Sequence, residues 1–225
     1  MREILIRVTG KTPLLMHNVR LANPMDPATK ELNRAYAEYK RTKTDAAFEE
    51  LSRVEFQGSL YYDDSGNPPI GPYMPTDNFI ACLRMAGAKV KKTGSRATLK
   101  NSVAAALLPA VDGNPDVNPL SYRSYRPDGM PAVRTLKGLL DEPSYRFVTM
   151  VRVGSSKVAR TRPVFSNWKF EVSFILDTDV LDTDDLRRVL VIAGQVVGLG
   201  DWRPAMGGSK GRFEATAEDR GEVVL

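Results

Sequence analysis

The sequence predicts an α+β protein with a ferredoxin-like βαββαβ core, an antiparallel sheet and large insertions. Three observations predict it. Apolar and β-branched residues mark strands at both ends of the chain and across residues 145–176. Two amphipathic helices fall between those strands. Taken in order, the strongest elements read strand, helix, strand, strand, helix, strand, which is the split βαβ topology. A chain of 225 residues is long enough to bury a core without disulfide or metal staples, and it is read as one domain spanning 1–225, with insertions at 18–73 and 91–144.

The first core strand covers about 2–10, where Glu-Ile-Leu-Ile-Arg-Val-Thr runs into Gly10 and a loop containing Pro13. Asp26-Pro27 starts a helix, with Asp as the cap and Pro in the first turn, and Leu32, Tyr36 and Tyr39 share a face as far as about Arg41. Thr44-Asp45 caps a second helix carrying Phe48, Leu51 and Val54, which Gly58 ends. Residues 59–62 and the turn cluster from Asp64 to Pro69 predict a short hairpin. The first core helix, about 76–90, starts at Pro75-Thr76-Asp77 and sets Phe79, Ile80, Leu83 and Val90 against Arg84, Lys89 and Lys91. Residues 91–144 are rich in Gly, Pro, Asn, Ser and Arg and read as long loops, apart from Val103-Ala-Ala-Ala-Leu-Leu108.

Residues 145–153 and 168–176 are the clearest strands; in the second, Lys169, Glu171 and Ser173 alternate with Phe170, Val172 and Phe174. Residues 154–167 read as a basic connection between them. Thr183 caps the second core helix, about 183–198, with Asp184 and Asp185 at the positive end of its dipole. Leu186, Val189, Leu190, Ala193, Val196 and Val197 follow at helical spacing until Gly198-Leu-Gly200, and the last core strand covers about 211–217.

Net charge is +5 and the isoelectric point is near 9.3, a modest excess that suits a polyanionic partner. Its distribution is more telling. Arg84, Lys89, Lys91, Lys92, Arg96 and Lys100 follow one another with no carboxylate among them, and so do Arg146, Arg152, Lys157, Arg160, Arg162 and Lys169. Cys82 is the single cysteine and His17 the single histidine, so intrachain disulfides and the usual zinc ligand sets are absent, and no metal or cofactor is expected. The N-terminus lacks the apolar core of a secretory signal and no stretch approaches a membrane span, which predicts a cytoplasmic protein without membrane partners.

Three segments carry candidate binding residues. Lys91, Lys92, Arg96 and Lys100 in one stretch, and Arg152, Lys157, Arg160 and Arg162 in the other, could neutralise phosphates, with a nearby ring stacking on bases. The glycine-rich loop from Gly198 to Arg212 offers Trp202 for stacking and Arg203, Lys210 and Arg212 for charge-assisted hydrogen bonds. That loop follows a helix C-terminus, whereas a dinucleotide fingerprint or P-loop needs the next helix N-terminus, so a nucleotide cofactor does not fit. The competing reading is a helix cap plus a turn, with Trp202 tucked over the core. His17, just after the first strand, is the one candidate general base, and no matched acid accompanies it.

The first strand running into Thr9-Gly-Lys-Thr-Pro-Leu-Leu-Met-His-Asn18, with Gly198-Leu-Gly-Asp-Trp-Arg203 and Gly211-Arg-Phe213 at the other end, resembles the RAMP superfamily of CRISPR proteins, above all their guide-RNA-coating backbone subunits. The resemblance implies an RRM-type ferredoxin-like core, strand binding by the 198–212 loop, and for His17 an echo of guide-processing endoribonucleases. Asp201-Trp202 departs from the smaller residues usual there. Nearly the whole chain is also similar to an uncharacterised bacteriophage and prophage family, through Asn23-Pro-Met-Asp-Pro27, Lys40-Arg-Thr-Lys-Thr-Asp45, Thr161-Arg-Pro163 and Gly198-Leu-Gly-Asp-Trp-Arg-Pro204.

The function expected is non-catalytic binding of single-stranded DNA or RNA in the bacterial host cell, through a basic face built on the sheet and by a protein that oligomerises. Two alternatives are a metal-independent RNA endonuclease using His17, and a mimic of a CRISPR backbone subunit that occupies host effector proteins. CRISPR or phage replication and recombination proteins are the protein partners this reading implies.

Overall fold

The computed structural model describes residues 1–110, 116–126, 130–153 and 156–223, the side chains of residues 152, 153, 156 and 157 excepted. Its strands are β1 (Arg2–Gly10), β2 (Leu14–Leu15), β3 (Tyr62–Asp63), β4 (Gly71–Pro75), β5 (Leu107–Pro109), β6 (Val117–Pro119), β7 (Arg146–Val153), β8 (Ser156–Phe165), β9 (Lys169–Leu176) and β10 (Phe213–Glu222). Its α-helices are α1 (Pro27–Thr42), α2 (Asp45–Ser59), α3 (Thr76–Gly87), α4 (Lys100–Ala106), α5 (Leu136–Asp141) and α6 (Thr183–Ile192). The one domain expected divides into two compact units built from separated segments. Unit one is Met1–Leu14, Tyr73–Arg123 and Ser166–Leu225; unit two is Leu15–Pro72 and Ser124–Phe165.

Unit one holds a four-stranded sheet in the order β10-β1-β9-β5, with every neighbouring pair antiparallel. Strand alternation turns Ile4, Ile6 and Val8 of β1 and Phe170, Val172 and Phe174 of β9 into the core. α3 brings Phe79, Leu83 and Ala86 to it, and α6 brings Leu186, Val189 and Leu190. Phe79 is the centre, its ring 5.5 Å from Phe170, 6.3 Å from Phe174 and 6.2 Å from Phe213. Trp168 closes one end: it stacks 6.1 Å from Phe170 and donates its indole N–H to the Thr12 carbonyl at 2.8 Å.

Two expectations for this sheet are corrected. Residues 145–153 are not one of its strands. They form β7, paired with β8 in unbroken register from Arg146↔Pro163 to Val153↔Ser156, in unit two. Only two residues separate β7 from β8 in sequence, so the hairpin closes at far less loop entropy than a pairing with β9 would need. The place beside β9 goes instead to β5, within the stretch read as loop, where Leu107↔Leu176 to Pro109↔Phe174 pair. Residues 91–144 are accordingly richer in structure than expected, with α4, β5, β6 and α5 among those described.

The last helix also differs from the expected 183–198. Its cap is Asp182, whose carboxylate accepts from the Asp185 amide at 2.7 Å, and α6 ends at Ile192. A wider π turn follows over Ala193–Val197, closed by the Gly198 amide donating to the Ala193 carbonyl at 2.7 Å. Gly194 explains the tight fit, because a Cβ there would lie 2.0 Å from the Phe213 carbonyl oxygen.

In unit two, α1 packs on α2, with Tyr39 and Phe48 rings 5.5 Å apart, and α2 packs on β8 of the sheet β2-β8-β7. Asp26 caps α1 and Thr44 caps α2, as their positions in the sequence predict. Tyr145 is fully buried between Tyr125 and Phe165, at 5.2 and 5.9 Å. Among the described residues no helix is long and apolar enough to cross a membrane.

Gly194→Ala tests the helix–strand contact. The added methyl forces the π turn away from β10 and is expected to cost about 1–3 kcal/mol, read as a lower urea midpoint at unchanged slope.

Candidate nucleic-acid interface

A cation binds a phosphate well only if its charge is not already met by a carboxylate, so each basic residue is characterised by its partners. The outer face of the unit-one sheet fails that test. Arg7 donates to Glu171 at 2.9 Å and also to Glu218, and Lys11 lies 2.7 Å from Glu214. The basic sheet face expected from the sequence is therefore a lattice of exposed ion pairs, with no aromatic residue among the outward positions Arg7, Lys169, Glu171 and Ser173.

Of the second basic stretch, Arg146, Arg160 and Arg162 are ion-paired within unit two. Glu55, 2 % exposed, accepts from Arg162 at 2.9 Å, from Arg160 at 3.4 Å and from the Thr161 amide at 2.7 Å. Ser52 and Thr161 share a buried hydroxyl contact of 2.8 Å beside them, and the Arg160 guanidinium stands 5.9 Å from the Tyr36 ring centre. Arg146 is paired with Glu49. Burial favours pairing of these charges, and Glu55 accepts from both Arg160 and Arg162. The side chains of Arg152 and Lys157 lie outside the described residues. Glu55 was missed in the sequence, although its place between Val54 and Phe56, both buried, on the packed side of α2 is the available signal.

The first stretch behaves differently. Arg84 and Lys89 lie at the end of α3 and just beyond it, Lys91, Lys92 and Arg96 on the following turn, and Lys100 at the start of α4. All six are exposed, and none is ion-paired among the described residues. Backbone bonds hold the turn. Lys91 bridges Thr98, the Lys92 amide donates to Ala97 at 2.9 Å, and the Leu99 amide donates to Val90 at 2.9 Å. Arg188 of α6 fastens it further, donating to the Lys91 carbonyl at 3.0 Å and the Thr93 hydroxyl at 3.2 Å, while pairing with Asp185 at 2.6 Å. Six exposed charges, unpaired among the described residues, run from the end of α3 across a turn that backbone bonds hold in place to the start of α4.

The 198–212 loop is also built, but for another purpose. Cβ atoms at Gly208 and Gly211 would each lie 1.8 Å from a carbonyl oxygen, of Trp202 and Leu199 respectively. These glycines therefore serve the loop's own packing. Arg203 donates to the Gly200 carbonyl of the loop at 2.9 Å and Arg212 to that of Gln195 in the π turn, so both spend donors on nearby backbone carbonyls. Lys210 likewise has an interaction partner. What the loop presents outward is Trp202, 45 % exposed on a left-handed backbone at φ 51°, and Met206. The loop begins against α3: the Cys82 thiol points to the Gly198 carbonyl at 3.4 Å, and burial pushes its pKa up to about 12.

His17 is exposed in unit two and has an interaction partner; no cluster of three or more metal-ligating side chains occurs among the described residues. The chain matches no protein-family model, and no curated protein is significantly similar to it.

Two measurements check this charge assignment. Glu55→Gln removes the buried anion that accepts from Arg160, Arg162 and the Thr161 amide and is expected to destabilise the protein by about 3–5 kcal/mol in urea unfolding. Cys82 is expected to resist a thiol-specific disulfide reagent at neutral pH until denaturant is added, because the reactive thiolate is suppressed by burial.

Proposed function

We propose that the protein is a non-catalytic binder of single-stranded nucleic acid that grips the backbone with the segment from Arg84 to Lys100 of unit one, while Trp202 supplies a stacking surface. The observation that carries this reading is the contrast in charge compensation. Six exposed cations from the end of α3 to the start of α4 have no ion-pairing carboxylate among the described residues, whereas Arg7, Lys11, Arg146, Arg160 and Arg162 are each paired. Lysine and arginine so arranged attract phosphates by releasing counterions, which needs no base sequence. An exposed indole offers a face on which any base can stack.

The path β1-α3-β5-β9-α6-β10 and the sheet order β10-β1-β9-β5 support reading unit one as a ferredoxin-like core. That is the core the likeness to RAMP proteins implies.

Anisotropy of a labelled oligonucleotide, titrated between about 50 and about 200 mM salt, tests the proposal. With all six cations on phosphates the slope of log K against log salt is about −4, and replacing Lys91, Lys92 and Arg96 by Ala removes about 2 of it. Trp202→Ala is expected to weaken binding about 5–150-fold at unchanged salt slope, since it removes stacking and not charge. Absence of binding at the lower salt overturns the reading.

A further inference from the structure

The outer side of α3 carries a groove of about 450 Å³ lined by Ala81, Arg84, Met85, Ala88, Lys89 and Lys100. Half of that lining is cationic and half is apolar. Ala81, Met85 and Ala88 stand at i, i+4 and i+7, so they form one stripe along the helix, and Met85 is 38 % exposed. Phosphate contacts alone do not need such a stripe. An alanine on either side of Met85 leaves a shallow bed whose thioether is soft and attracts aromatic rings. The volume lies in the range of about 300–1,000 Å³ typical of small-molecule sites. It is larger than a phosphate group requires. Arg84 adds a guanidinium plane of the kind that stacks on a splayed base, and Lys89 and Lys100 stand ready for the phosphates on either side.

We infer that this groove seats one unstacked base together with its flanking phosphates, so that the protein selects single strands over duplex. The inference rests on the strand-binding reading above and adds the place where a base is held. In a duplex the bases are stacked and paired, and none is free to enter. A single strand delivers a ring to the Ala81–Met85–Ala88 stripe without an unpairing cost.

The test compares three ligands of equal length on the intact protein: a single-stranded oligonucleotide, the same strand with abasic sites throughout, and the duplex. The expected result is about tenfold tighter binding of the normal strand than of the abasic one, and weaker binding of the duplex at matched phosphate concentration. Ala81→Leu with Ala88→Leu fills the groove at exposed helix positions that accept leucine, and thermal melting verifies the fold. In that variant the preference over the abasic strand is expected to fall several-fold while abasic binding stays constant. Equal affinity of the parent protein for normal and abasic strands overturns the inference and leaves strand binding intact. A preference undiminished in the filled variant also overturns it, because the base is then read elsewhere. Failure of the parent to bind any of the three overturns the strand-binding reading itself, and the inference with it.

Discussion

Unit one depends on the way Phe79 anchors α3. Its ring is fully buried among Phe170, Phe174 and Phe213, drawn from β9 and β10, and fixes the rotation of the helix about its axis. Once Phe79, Cys82, Leu83 and Ala86 are committed inward, the 3.6-residue period leaves Ala81, Arg84, Met85 and Ala88 outward. Aromatic packing on one side of the helix thus sets which side chains can meet a ligand on the other.

Charge follows a second constraint. Within unit two, the Glu55 carboxylate is 2 % exposed and gathers donors from Arg160, Arg162 and the Thr161 amide. Such a cluster ties α2 to β8 and is worth more as a constraint on their register than as net stability. Exposed ion pairs on the unit-one sheet contribute still less to stability. Their consequence is electrostatic: they level the potential over that face and leave the turn after α3 as the described region of concentrated positive charge.

The glycines of the 198–212 loop show how composition can mislead about purpose. A glycine-rich, basic segment suggests backbone laid against a ligand, yet Gly208 and Gly211 are required by carbonyl groups of the loop itself. Arg203 and Arg212 likewise donate to backbone carbonyls, of Gly200 in the loop and of Gln195 in the π turn. The large apolar side chains that the loop turns outward are Trp202 and Met206.

The elements set by local chemistry were legible in the sequence: the caps Asp26 and Thr44, the inward alternation of β1 and β9, and the inner stripe of α3 all follow from nearest-neighbour rules. The acid-free run from Arg84 to Lys100 was legible too, since a stretch that lacks carboxylates cannot neutralise itself. Tertiary structure alone decided that β5 and not β7 lies beside β9, and that Arg160 and Arg162 turn to Glu55 while the six cations of the first stretch find no carboxylate among the described residues. Those outcomes depend on which residues distant in sequence are brought together, and pairing energies between strands or charges are fixed by that proximity, which no local pattern encodes.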